Sequence, residues 1–163
     1  MTPLAEAMFW LANALIVPVW GMMWFLPDHD LTKRYIGDLK LTFLPLLIPY
    51  LVLALPVLPD LLMTLGTQMP TPAVVVELFE DPDMVVLAWI HILALDTLAG
   101  RHIWRRMLVA GRPRAVSFPV LLFCLLLGPL GFAAGMALTW NVGGLDLTLT
   151  DEAAQKAQDS STS

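Results

Sequence analysis

Residues Ala7 to Pro27 read AMFWLANALIVPVWGMMWFLP, twenty-one residues without a charged side chain. As a helix they extend about 31 Å at 1.5 Å per residue, the thickness of a bilayer's hydrocarbon core. This run sets the expected fold class, an all-α protein integral to a membrane.

The rest of the chain agrees. Of its 163 residues 58% are hydrophobic and 14% charged, where a soluble domain carries about a quarter charged residues. A soluble core of this length could not absorb so much apolar surface, and the remainder would form patches that soluble monomers avoid. The net charge of −5 and the lack of a basic, aromatic-laced stretch argue against nucleic-acid binding. Cys124 is the single cysteine, so no intrachain disulfide or cysteine metal cluster can form. It lies in an apolar run and reads as a small buried hydrophobe. The first Lys or Arg is Lys33. The leading apolar stretch therefore lacks the basic n-region of a signal peptide and is expected to stay as a span.

Four segments meet the length of about 20 helical residues that a crossing needs. They run from Leu4 to Leu26, from Leu41 to Leu58 (with Pro45, Pro49 and Pro56), from Met84 to Gly100, and from Ser117 to Trp140. Leu61–Val76 is apolar but broken by Gly66, Pro70 and Pro72, and reads as a short interfacial or re-entrant segment between helices 2 and 3. The expectation is an integral membrane four-helix bundle over residues 1–140, one four-span domain. A polar, mobile tail over residues 141–163 follows.

Charge sets the orientation. Lys33, Arg34 and Lys40 flank the first connection, and Arg101, Arg105, Arg106, Arg112 and Arg114 fill the third. The second connection is acidic, with Glu77, Glu80, Asp81 and Asp83, and Lys156 lies in the tail. The positive-inside rule places both basic loops in the cytoplasm. With four spans, both termini are then non-cytoplasmic, in the cell membrane (the inner one in a Gram-negative cell).

The third span holds the candidate chemistry: Trp89-Ile90-His91-Ile92-Leu93-Ala94-Leu95-Asp96-Thr97-Leu98-Ala99-Gly100-Arg101. Ionisable groups within a span are costly and mark functional positions. With Arg101 at the cytoplasmic interface, Asp96 lies about 7.5 Å deeper and His91 about 15 Å deeper. Five residues rotate one from the other by about 140°, so they cannot pair along one face. Partners must come from other helices, and Asn13, Trp20 and Tyr50 are the first to consider. The alternative reading makes both satisfied core groups, Asp96 bonded to Asn13 or to backbone, His91 neutral.

Other patterns carry less. His91 and His102 are about 16 Å apart along the helix, so one haem cannot take both. Asp28-His29-Asp30 reads as a solvated turn rather than a metal site. No metal or cofactor is implied. Gly128-Pro129 should kink or interrupt the last span, leaving a gap where a ligand could enter, and Gly131-xxx-Gly135 permits close helix approach. Trp20 and Trp89 are candidates to line a pocket.

These residues together resemble the abscisic-acid-deficient-four-like family, small membrane proteins named for a plant member needed for neoxanthin synthesis. The likeness runs over residues 8 to 138. It is carried by Ala12-Asn13, Val17-Pro18-Val19-Trp20 and Leu26-Pro27, by Leu78-Phe79-Glu80-Asp81-Pro82, by Trp89, His91, Asp96 and Gly100-Arg101, and by Gly128-Pro129-Leu130-Gly131. Leu95 stands where the family pattern has phenylalanine. The resemblance implies a link to carotenoids. The plant reaction opens an epoxide and forms an allene, an isomerisation without a redox cofactor. Such a step needs an acid at oxygen and a base for a carbon-bound proton, and His91 and Asp96 are the ionisable side chains deep enough to serve.

Two readings stand. One is a cofactor-free isomerase acting on a membrane-dissolved carotenoid or isoprenoid, with His91 and Asp96 catalytic and Asn13, Trp20, Tyr50, Trp89, Arg101 and Gly128 around the pocket. The other is a non-catalytic pigment- or lipid-binding subunit or assembly factor of a larger membrane complex. The expected partners are membrane lipids and a polyene ligand, with a homo-oligomer or complex partner left open. The isomerase reading predicts His91 and Asp96 in one lipid-open cavity.

Overall fold

The computed structural model describes residues 1–67, 69 and 71–143. The polar tail expected over residues 141–163 lies outside the described residues from 144 onward, Lys156 included. Seven α-helices and no strand occur among the described residues: α1 (Pro3–Phe25), α2 (Asp30–Gly37), α3 (Leu39–Thr67), α4 (Pro72–Leu78), α5 (Pro82–Val109), α6 (Arg114–Leu126) and α7 (Gly128–Leu138). Three of them, α1, α3 and α5, contain stretches long and apolar enough to cross a membrane.

Each long helix begins where its sequence supplies a cap. Thr2 accepts from the Ala5 N–H with Pro3 following it, and Asp81 accepts from the Asp83 N–H with Pro82 following it. Oxygen-bearing caps satisfy free amides of the first turn, and proline suits a position whose N–H has no partner. α1 buries Ala5, Ala12, Ile16, Trp20 and Met23, which recur at helical spacing on one face. α1 and α5 run side by side in the same direction. Thr2 bonds Asp83, Trp20 Nε1 donates to Thr97 Oγ1 (3.3 Å), and Trp104 Nε1 donates to the Pro27 carbonyl (3.2 Å). α3 packs on both.

α3 is longer than the span expected from Leu41 to Leu58. It runs through Pro45, Pro49, Pro56 and Pro59 to Thr67, so the first part of the expected interfacial or re-entrant segment, Leu61–Thr67, continues this helix. The four prolines are spaced by four, seven and three residues, so their missing N–H groups fall along one side and the remaining ladder holds. The second part of that segment lies mostly in α4, a seven-residue helix with no buried side chain.

The last apolar run corrects the sequence reading most. The span expected from Ser117 to Trp140 is two short helices folded back on each other. α6 ends at Leu127 (φ −141°, ψ 55°) and α7 starts at Gly128-Pro129. Proline has no N–H to continue the ladder and its ring crowds the carbonyl four residues earlier. Gly131 then lies directly against the backbone of Phe123 and Cys124, where a Cβ would collide, and Gly135 lies against Ile103 of α5. At about 20 Å and 17 Å, neither helix reaches the roughly 30 Å of a crossing. The base of this hairpin is held by arginines. Arg106 donates to Thr139 Oγ1 (2.8 Å) and to the carbonyls of Thr139 (2.6 Å) and Val142 (2.8 Å), and Arg112 donates to the Leu138 carbonyl.

The two ends of the described chain are therefore far apart. Thr2 sits at Asp83 and Val142 at Arg106, positions on α5 separated by about 35 Å. Three helices, not four, are long and apolar enough to cross a membrane among the described residues. The end holding Val142 also gathers α2, the α5–α6 turn and every Lys and Arg of the described residues. In that turn Gly111 has φ +61°, a left-handed conformation glycine adopts without the usual steric cost.

Candidate functional site

Where the hairpin turns, its tip meets the middle of α5. An open groove of about 490 Å³ lies there, lined by Ile92, Leu95, Asp96 and Ala99 from α5 and by Gly128, Pro129 and Phe132 from α7. Spacings of three and four residues put the α5 members on one helix face. Asp96 is the one ionisable residue of this lining. Its carboxylate lies over Gly128, where a Cβ would overlap Oδ1. Among the described residues the Asp96 side chain has no hydrogen bond and no ion pair. A half-buried carboxyl without a protein partner in an apolar groove makes Asp96 the candidate for contact with a ligand.

The structure brings only two of the sequence candidates, Asp96 and Gly128, into this groove. His91 stands on the α3 side of α5 with its ring 5.5 Å from that of Tyr50; the groove lining includes neither. The rotation of about 140° between His91 and Asp96 puts them on different faces of α5. Asn13 donates to the Phe9 carbonyl of its own helix (2.7 Å) and not to Asp96. Trp20 is buried, its indole packed over Gly100 and bonded to Thr97, so it belongs to the core. Trp89 is half-exposed beside Phe9 of α1. Arg101 is buried and donates to the Ile36 carbonyl (2.5 Å) and to the Gly37 carbonyl. It satisfies the free carbonyls at the end of α2. His29 caps α2 through Nδ1, and Cys124 is fully buried.

Sequence reasoning missed Ile92, Leu95, Ala99, Pro129 and Phe132. Their signal was the heptad-like register of 92, 95 and 99 around Asp96, joined to the break at Gly128-Pro129. His102 adds an aromatic contact behind Phe132, with ring centroids 5.7 Å apart.

The ABA DEFICIENT 4-like family model matches residues 7–134. The chain belongs to this family. That span of the ABA DEFICIENT 4-like match takes in most of α1, α5 with Asp96, and the hairpin tip, which agrees with the resemblance read from the sequence. No curated protein and no solved structure matches the chain.

Proposed function

We propose that this chain is an integral membrane protein of carotenoid or isoprenoid metabolism. It takes a membrane-dissolved polyene into the groove at Asp96 and isomerises it by proton transfer without a cofactor. Asp96 carries the reading, as an unpartnered carboxyl in an otherwise apolar groove. Family membership supports the substrate class.

Three long apolar helices support insertion, as do exposed Val17, Leu44, Ile48, Leu55 and Leu130 on the helix surfaces, since lipid accepts what water would not. In this reading α1, α3 and α5 cross the cell membrane, and α6–α7 enters and leaves on the basic side. The positive-inside rule puts that side in the cytoplasm. Thr2 then faces outward and Val142 inward.

The chemistry is proton-neutral. Asp96 in its acid form gives a proton to an oxygen of the ligand's end group as a carbon–oxygen bond breaks. The carboxylate that remains takes a proton from carbon, which restores the acid. One carboxyl can serve both steps, and His91, on another face of α5, is not required.

One observation favours a non-catalytic holder of pigment or lipid: with His91 against Tyr50, the groove has no second acid or base. Pigment and lipid profiles of a strain lacking the gene, complemented with wild type, Asp96→Asn or His91→Gln, separate the readings. The isomerase reading expects a missing product that wild type and His91→Gln restore and Asp96→Asn does not. Full restoration by Asp96→Asn supports the holder. A profile that deletion leaves unchanged rejects the link to carotenoids.

A further inference from the structure

His91 is exposed in the middle of α5, about 12 Å along the axis from Asp83 and about 15 Å from Arg101. Its ring leans on that of Tyr50, which is partly exposed on α3, with centroids 5.5 Å apart and planes tilted by 41°. Among the described residues neither the imidazole nor the Tyr50 hydroxyl has a hydrogen bond. Apolar side chains on such a helix need no cover beyond lipid. A ring nitrogen and a hydroxyl do, because hydrocarbon offers neither donor nor acceptor. Neither side chain is long enough to reach an interface from this depth.

The two groups are level because α3 and α5 run in opposite directions from a common point. Arg101 of α5 holds the Ile36 and Gly37 carbonyls just ahead of α3. From there His91 lies about 15 Å back along α5 and Tyr50 about 17 Å along α3. The flanking residues, Ala88 and Leu95 on α5 and Leu47 and Ala54 on α3, are partly or fully exposed. Ala88 and Ala54 both lie on the acidic side of the polar pair, and residues this small let another helix approach closely.

Resting on the reading of α3 and α5 as membrane-spanning, and not on the reading of Asp96, we infer that a second copy of the chain covers this face, with His91 of each copy bonded to Tyr50 of the other. A two-fold axis along the membrane normal keeps every residue at its own depth. Groups bonded across it must therefore be level, as His91 and Tyr50 are. A neutral imidazole has one donor and one acceptor nitrogen, and a tyrosine hydroxyl can give or take a hydrogen bond. Each copy presents one of each, so the contact is self-complementary and occurs twice, as an isologous interface requires. A phospholipid brings its polar groups to the membrane surfaces and not to this depth. Asp96, rotated by about 140° around α5, stays outside the contact.

The test uses the full chain, first in membranes and then in mild detergent. Two differently tagged copies, both Cys124→Ala, are expressed together, one with Ala54→Cys and the other with Ala88→Cys. Oxidation is expected to join the two tags. Ile48→Cys (59% exposed), about 200° around α3 from Tyr50, is expected not to join when it replaces Ala54→Cys. In detergent the wild-type particle should have the mass of two chains. Tyr50→Phe keeps the ring and removes one hydroxyl per copy, hence two hydrogen bonds per dimer. Its dissociation constant should rise about tenfold with helix content unchanged. A wild type that is monomeric in detergent and unjoined in the membrane overturns the inference. So does joining through Ile48→Cys alone, or a dimer that Tyr50→Phe leaves equally tight, since each assigns the interface to other groups. A monomer carrying a small molecule that Tyr50→Phe releases, read by native mass spectrometry, assigns the pair to a ligand and overturns it too. Alkaline carbonate separates this inference from the membrane reading. A chain that carbonate strips from the membrane rejects both, whereas one that stays embedded but unjoined rejects the dimer alone.

Discussion

The carboxylate of Asp96 occupies the space in which a Cβ on Gly128 would stand. Two residues thirty-two positions apart thus share one contact, at the point where the hairpin turns. A methyl group at 128 has to displace the carboxyl, which is the free end of a side chain and can swing aside. Gly128→Ala is therefore expected to fold, with a small change in melting temperature. It should lower activity by about tenfold, the effect of one misplaced hydrogen bond. Complementation of a deletion strain, read alongside thermal unfolding, checks this. Full activity in Gly128→Ala would separate Asp96 from the function.

Gly131 makes a different contact and predicts a different loss. Its missing Cβ faces the backbone of Phe123 and Cys124, which cannot rotate away. Gly131→Ala must push α7 off α6, and overpacking of this kind costs about 1–3 kcal/mol or more. The melting temperature in detergent should fall well below that of Gly128→Ala. Equal melting of the two variants would mean that the hairpin is not tightly closed.

Arg101 was a pocket candidate by sequence and is a strut by structure. Its buried guanidinium donates to two carbonyls at the end of α2, a forked geometry that a lysine cannot reproduce. Arg101→Lys should destabilise by about 1.5–3 kcal/mol, the worth of a charged hydrogen bond. Complementation of a deletion strain, scaled to the folded protein present, should stay at the wild-type level. A selective loss of complementation without loss of stability would return Arg101 to the site.

The class of fold was legible because it rests on length and charge, and both are local. Ala7–Pro27 without a charge, and basic residues in two connections only, suffice for long apolar helices with one basic end. The hairpin was not legible, because Ser117–Trp140 has the length of one crossing and its periodicity does not reveal direction. The break at Gly128-Pro129 was visible. That it reverses the chain depends on Gly131 meeting the backbone of Cys124, a tertiary contact. Asp96 was found from its cost in an apolar helix. Its neighbours Pro129 and Phe132 come from a return path that the sequence reading had treated as passing straight through. His91 was chosen by the same argument as Asp96 and lies elsewhere, since depth along a helix does not determine which neighbour covers each face.

In the proposed membrane reading the hairpin also changes the side on which the chain leaves, and this can be measured directly. Cys124 is the chain's one native thiol and is fully buried, so Cys124→Ala gives a background for single-cysteine labelling. In this background Thr2→Cys reports the acidic end and Val142→Cys the end held by Arg106. With three crossings and a re-entrant hairpin, a membrane-impermeant maleimide added to intact cells (outer membrane permeabilised where there is one) should label Thr2→Cys strongly. It should label Val142→Cys only after the cell membrane is opened. A four-span bundle predicts labelling of both in intact cells, because an even number of crossings returns the chain to the side it started from. The Arg106 clamp adds a control, since Arg106→Met removes the bonds to Thr139 and Val142. It should raise the labelling rate of Val142→Cys in opened cells without making that site reachable from outside. Labelling of Val142→Cys in intact cells would reject the hairpin as a re-entrant element.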